Sequence, residues 1–86
     1  MKTILRVTFS CERFSDILIE NPAFLPTHGE AFYCIWGDYI DDEEVVKQLE
    51  DLEENDYWVV QRVASTYGKD IAECHIVLHE AESFKG

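Results

Sequence analysis

Carboxylates crowd one stretch of this chain, between Asp38 and Asp56. Ten of the eighteen acidic residues lie in these nineteen positions, and Lys47 is the single base among them. The acids are Asp38, Asp41, Asp42, Glu43, Glu44, Glu50, Asp51, Glu53, Glu54 and Asp56. Such a density of like charge predicts either a solvated helix face or a surface that binds a strongly basic partner.

The spacing within this stretch predicts a helix. Asp41 and Glu44 have the N-cap and N3 spacing of a capping box, and Ile40 and Val45 would form a hydrophobic staple over it. Asn55 is expected to end the helix in a left-handed conformation. The apolar stripe of this helix, which should lie on a sheet, is Val45, Val46, Leu49 and Leu52.

The acids of the helix would face away from that stripe, where solvent screens their repulsion. A fourteen-residue helix is roughly 21 Å long, and one DNA strand presents a phosphate about every 3.4 Å, hence about six phosphates over that length. The seven carboxylates from Asp42 to Glu54 match this density. A solvated face explains the first-turn acids through the helix dipole, but it does not explain those in the last turn, where negative charge is disfavoured.

Aromatic residues bracket the acids, and Trp and Tyr are common anchors of protein interfaces. Trp36 and one of Tyr57 and Trp58 are expected to be core residues instead. The predicted partner-binding residues are Asp38, Asp42, Glu43, Glu50, Asp51, Glu54, Tyr39 and Tyr57.

Other site chemistries find little support in the sequence. The run from Asp38 to Glu44 lacks the ligand spacing of a calcium loop, and His75 and His79 on a strand would be about 13 Å apart, too far to share a zinc ion. No glycine-rich phosphate loop or nucleophile elbow is present. Cys11, Cys34 and Cys74 form no metal-binding pair and are expected to be reduced and mostly buried, with Cys34 in the core. We therefore expect no metal, no cofactor and no catalytic residue.

Six short elements must position the acidic stretch. Lys2 to Ser10 alternates as a first strand, with Leu5, Val7 and Phe9 on its apolar face. Glu12 to Glu20 has Phe14, Ile17 and Leu18 at helical spacing, which predicts a short helix. The loop from Asn21 to Gly29 contains both prolines, and we expect Phe24 and Leu25 to fix it to the core. Ala31 to Trp36 is apolar on both faces, which is typical of a central strand covered on each side.

The last third of the chain favours a hairpin. Tyr57 to Tyr67 could form a helical face, but its β-branched and aromatic residues and the turn at Gly68 and Lys69 favour a strand. From Ala72 to His79 the residues alternate as a half-buried strand. The order β-α-β-α-β-β predicts an α+β fold: a small, mostly antiparallel or mixed sheet of about four strands with helices packed on it.

Length and charge limit the classes of function. A chain of 86 residues and 10.0 kDa forms a single domain, 1–86, and 47% hydrophobic residues suffice for a core. The net charge of −11 opposes direct binding to nucleic acid or to anionic lipids. No apolar run reaches membrane-spanning length and the start of the chain does not resemble a signal peptide, so we expect a soluble, cytoplasmic protein. We expect it to be a monomer or a homodimer.

No motif assigns this chain to a family. In size, charge and lack of catalytic motifs it resembles small acidic inhibitors as a class: phage DNA mimics, anti-CRISPR or anti-restriction proteins, and toxin-immunity proteins. The resemblance implies a non-catalytic inhibitor that occludes a basic site on a nucleic-acid-binding enzyme or nuclease. It assigns no residue roles. A structural or regulatory interaction domain, paired through a sheet edge, is the alternative, and a small enzyme is a more distant one.

Overall fold

The structure is a computed structural model that describes residues 2–11 and 13–83. Five strands and one α-helix lie in this part of the chain. In chain order they are β1 (Lys2–Phe9), β2 (Ile17–Glu20), β3 (Ala31–Phe32), α1 (Glu43–Asn55), β4 (Trp58–Tyr67) and β5 (Ile71–Glu80). Short 3-10 turns occupy Trp36–Asp38 and Ala81–Ser83.

The strands form one mixed sheet in the order β2-β1-β5-β4-β3. β1 and β5 are parallel, and the other neighbouring pairs are antiparallel. The α+β class and the mixed sheet are thus confirmed. The described chain has five strands instead of about four, and a single α-helix in place of the two that were predicted.

One face of the sheet carries the core. In-register pairs such as Leu5 with Cys74 and Val7 with Ile76 place their side chains on this same face, where they are buried. Leu49 of α1 belongs to this cluster and is fully buried. No helix in the described part of the chain is long and apolar enough to cross a membrane.

The predicted hairpin and last strand are confirmed. β4 pairs with β5 antiparallel, with a register irregularity between Arg62 and Ala64. In β5 the residues Cys74, Ile76 and Leu78 are buried and their neighbours along the strand are partly exposed, as the alternation predicted.

The predicted helix from Glu12 to Glu20 is wrong. Glu12 lies outside the described residues, and Ile17–Glu20 forms the edge strand β2. Within β2, Ile17 and Ile19 are buried, whereas Leu18 is exposed. This period of two fits a strand, and pairing with β1 supplies the backbone hydrogen bonds that four residues could not obtain in an isolated helix turn.

The predicted central strand from Ala31 to Trp36 is also wrong. Only Ala31 and Phe32 are paired, at the edge of the sheet beside β4, and the chain then leaves the sheet for a 3-10 turn. Side chains on one side of this segment are exposed because nothing in the described chain covers them. The loop before it differs as well, because Phe24 and Leu25 are exposed and Pro26 is the buried residue.

The ends of α1 are shifted from their predicted positions. Asp42, not Asp41, is the N-cap, and its side chain accepts a hydrogen bond from the backbone N–H of Glu44 at 3.0 Å. With Asp42 as the N-cap, Ile40 and Val45 do not occupy the N′ and N4 positions that a hydrophobic staple requires, although both are half-buried. Asn55 is the last helical residue and no left-handed residue ends the helix, since the C-cap that follows it is extended.

Candidate partner-binding surface

Eight exposed carboxylates lie on α1 and on the segment that leads into it. We call this surface the acidic strip: Asp38, Asp41, Asp42, Glu43, Glu44, Glu50, Asp51 and Glu54. The thirteen helical residues extend over about 20 Å. The strip is therefore long and open to solvent.

Apolar packing against the core and one side-chain hydrogen bond hold α1 in place beneath these charges. Leu49 is the fully buried residue of the helix and lies in the core cluster. The carboxylate of Glu53 accepts a hydrogen bond from the indole N–H of Trp36 at 2.5 Å. Because Glu53 is half-buried and hydrogen-bonded to Trp36, we do not count it among the exposed acids of the strip.

All eight predicted partner-binding residues are exposed. Six of them belong to the strip, and the other two are Tyr39 and Tyr57, with exposed fractions of 47% and 44%. Tyr39 follows the 3-10 turn, whereas Tyr57 follows the end of α1, so they flank the helix at opposite ends. Tyr39 and Asp42 line one open pocket of about 360 Å³, and Glu43 and Glu50 line another of about 390 Å³. Trp36 and Trp58 are buried, as expected of core residues.

No acid of the strip forms an ion pair within the described residues. The ion pairs found there, Lys2 with Glu20 at 2.9 Å and Arg6 with Glu73 at 2.7 Å, join strands of the sheet. On α1 itself the only base is Lys47, and the last turn contains none. The acids therefore combine into a negative field directed outwards.

A half-buried thiol lies close to two of the acidic residues, Glu53 and Asp38. Burial, together with the charges of Glu53 and Asp38, raises the pKa of Cys34 to about 11. The thiol is thus protonated at neutral pH, which makes it a poor nucleophile and a poor metal ligand. Cys74 is buried, whereas Cys11 and Cys34 are only half-buried, so the prediction that Cys34 is a core residue was too strong.

The histidines of β5 are engaged within the sheet. Nε2 of His75 lies 3.1 Å from the Thr8 hydroxyl, and Nε2 of His79 lies 2.6 Å from the side-chain oxygen of Gln61. Within residues 2–11 and 13–83, no three His, Cys, Asp or Glu side chains are grouped so as to hold a metal ion. No residue of this surface is thus assigned to a metal or a cofactor.

Sequence reasoning missed a set of exposed apolar residues beside the strip. Tyr33 and Ile35 are 68% and 73% exposed, and Phe24 in the preceding loop is 87% exposed. The pattern of the segment was visible, because Phe32, Cys34 and Trp36 alternate with the exposed pair. An apolar run with two similar faces does not show, however, whether its second face is covered.

The chemistry open to this surface is recognition by charge and apolar contact. Its carboxylates are exposed, and its one thiol with a shifted pKa is held in the neutral form. No protein family, curated protein or solved structure matches this chain.

Proposed function

We propose that this protein is a non-catalytic, acidic inhibitor that binds a basic protein and occludes its nucleic-acid-binding or nuclease site. The observation that carries the proposal is the acidic strip, whose eight exposed carboxylates form no ion pair in the described chain. Six of them belong to α1 or its N-cap, on a helix about as long as six phosphate spacings of one DNA strand.

The placement of charge within α1 favours a functional surface over a merely solvated one. Acids at Glu43 and Glu44 interact favourably with the helix dipole. Glu50, Asp51 and Glu54 lie near the other end, where the dipole and their mutual repulsion are unfavourable by a few tenths of a kcal/mol each. The helix dipole therefore does not account for these three acids, whereas a binding role for this face would.

The mechanism is competitive occlusion. Lys and Arg side chains of the partner, which ordinarily contact phosphates, pair with the carboxylates of the strip. The long-range attraction accelerates encounter at low salt, and complementary charge fixes the orientation of the complex. The same net charge of −11 opposes binding of the inhibitor itself to DNA or RNA at physiological salt.

The proposal is tested with a charge variant and its matched control. The strip variant replaces Glu50, Asp51 and Glu54 by Gln, Asn and Gln. The control replaces three exposed acids on other elements by their amides: Glu30→Gln, Asp70→Asn and Glu82→Gln. Both variants change the net charge by the same amount.

Wild-type protein is first used to capture partners from a lysate at low salt, and these are eluted with salt and identified. A basic nuclease or nucleic-acid-binding protein is expected. Its association rate with the strip variant should then fall several-fold at low salt, whereas the control variant should behave like the wild type. Equal rates for the three proteins across salt concentrations would refute the role of the strip.

A second candidate function, a homodimeric interaction domain, is favoured by one edge of the sheet. β3 pairs only with Trp58 and Val59, so the outer edge of β4 from Val63 to Tyr67 has no neighbouring strand within residues 2–11 and 13–83. An unpaired edge can pair with that of a second copy. Sedimentation velocity distinguishes the two functions, because an edge-paired dimer would persist in high salt while a charge-driven complex would dissociate.

A further inference from the structure

An apolar groove lies on the core face of the sheet, beside one end of the acidic strip. Its cavity of about 330 Å³ opens between the loop that contains Phe24 and the segment from Tyr33 to Ile35. The buried side chains of Leu5 and Ile19 are among its lining residues, so the groove reaches the core. A cavity of this size accommodates one or two large apolar side chains.

Three large apolar side chains that line the groove are mostly exposed to solvent. Phe24, Ile35 and Tyr33, with exposed fractions of 87%, 73% and 68%, all line it. Large apolar side chains gathered around one concave site are characteristic of interaction surfaces, whereas singly scattered ones need no explanation. Tyr67 is similarly exposed at 80% but lies on the hairpin of β4 and β5, and it does not line the groove.

The charged residues around the groove indicate which kind of side chain can bind beside it. Asp38 of the acidic strip lines one end of it, and no lysine or arginine of the described chain is among its lining residues. Cys34 lines the groove as well, and its pKa is raised by burial first and then by the charges of Glu53 and Asp38. Asp38 therefore places a negative charge at an otherwise apolar cavity.

From this geometry we propose that the groove binds a protein segment in which large apolar side chains are flanked by lysine or arginine. The apolar side chains enter between Phe24 and Ile35, and the cations face Asp38 and the adjoining strip. This inference rests on the proposed function, since it assumes a basic protein partner, and it adds the apolar anchor that charge alone does not supply. Anchors buried in a pocket carry most of the energy of a typical interface, while exposed charges act on encounter.

The test uses the peptide Lys-Lys-Trp-Leu-Lys-Lys, titrated into isotope-labelled protein and followed by NMR. Two comparison peptides replace either Trp and Leu by Ser or all four Lys by Glu. The groove variant combines Phe24→Ala with Ile35→Ala, and the matched control is Tyr67→Ala. All three side chains are mostly exposed, so the melting temperatures should remain close to that of the wild type.

We expect amide shifts to concentrate at Tyr33, Cys34 and Ile35. The groove variant should weaken binding at least about fivefold, and the control should not change it. The Ser and Glu peptides should each bind at least about fivefold more weakly than the parent peptide.

The remaining outcomes separate the two proposals. The groove proposal would be refuted if the shifts were confined to α1, if the Ser peptide bound as tightly as the parent peptide, and if the groove variant bound the parent peptide as tightly as the wild type does. The proposal of an acidic inhibitor would not be affected by that result. Equal binding of the Glu peptide would refute the basic partner and hence both proposals. Absence of binding at millimolar peptide would refute the groove, and the partner experiment with the strip variant would still decide the proposed function.

Discussion

Leu49→Ala tests how α1 is attached to the sheet. Leu49 is 0% exposed, while the other apolar residues of the helix, Val45, Val46 and Leu52, are only partly buried. The substitution removes three carbon atoms, each worth about 0.8 kcal/mol on burial, or about 2.4 kcal/mol together. A cavity term adds to this, so we expect a loss of about 3–4 kcal/mol, within the range known for buried leucines.

The measurement is urea denaturation followed by tryptophan fluorescence, since Trp36 and Trp58 are both buried and report on the core. Gln48→Ala, an exposed neighbour on the same helix, is the matched control and should change stability by at most about 0.5 kcal/mol. A loss below about 1 kcal/mol for Leu49→Ala would show that Leu49 does not fix the helix, and the placement of the acidic strip would then be wrong.

Three further predictions concern charge, pH and metal. Replacing Glu50, Asp51 and Glu54 by their amides should leave the free energy of unfolding unchanged or raise it by up to about 1 kcal/mol, measured by the same denaturation, because repulsion near the end of α1 falls. A clear loss of stability would mean that these acids make contacts within the fold. The pKa of Cys34 is raised from 9.0 to about 11, so between these pH values the folded protein retains a proton that the unfolded chain has lost. The contribution of this thiol to stability is therefore complete below pH 9 and is lost as the pH rises towards 11. Comparing the pH dependence of wild type and Cys34→Ala isolates this contribution, and identical slopes would contradict it. A chelator such as EDTA should leave the melting temperature unchanged, whereas a fall reversed by zinc would reveal a metal site.

The sequence by itself determined the features that depend on local pattern. The alternation of Leu5 and Val7, and of Cys74 to Leu78, predicted β1 and β5, because a strand with one buried face needs a period of two. The acidic helix was predicted from its apolar stripe and cap, to within one residue at its start. The exposure of the acidic strip followed as well, since unpaired charges are excluded from a core.

Only the tertiary structure decided which apolar residues are covered. Ile17 became part of an edge strand because the neighbouring edge of β1 offered hydrogen-bond partners, which no local spacing can reveal. The inward turn of Glu53 depends on the position of Trp36, seventeen residues away in the chain. Tyr33 and Ile35 are exposed for the same kind of reason, because burial is a property of what lies opposite a side chain in space. The groove beside the acidic strip brings Leu5 together with residues between Ile19 and Tyr39, and it therefore became visible only once the chain was folded.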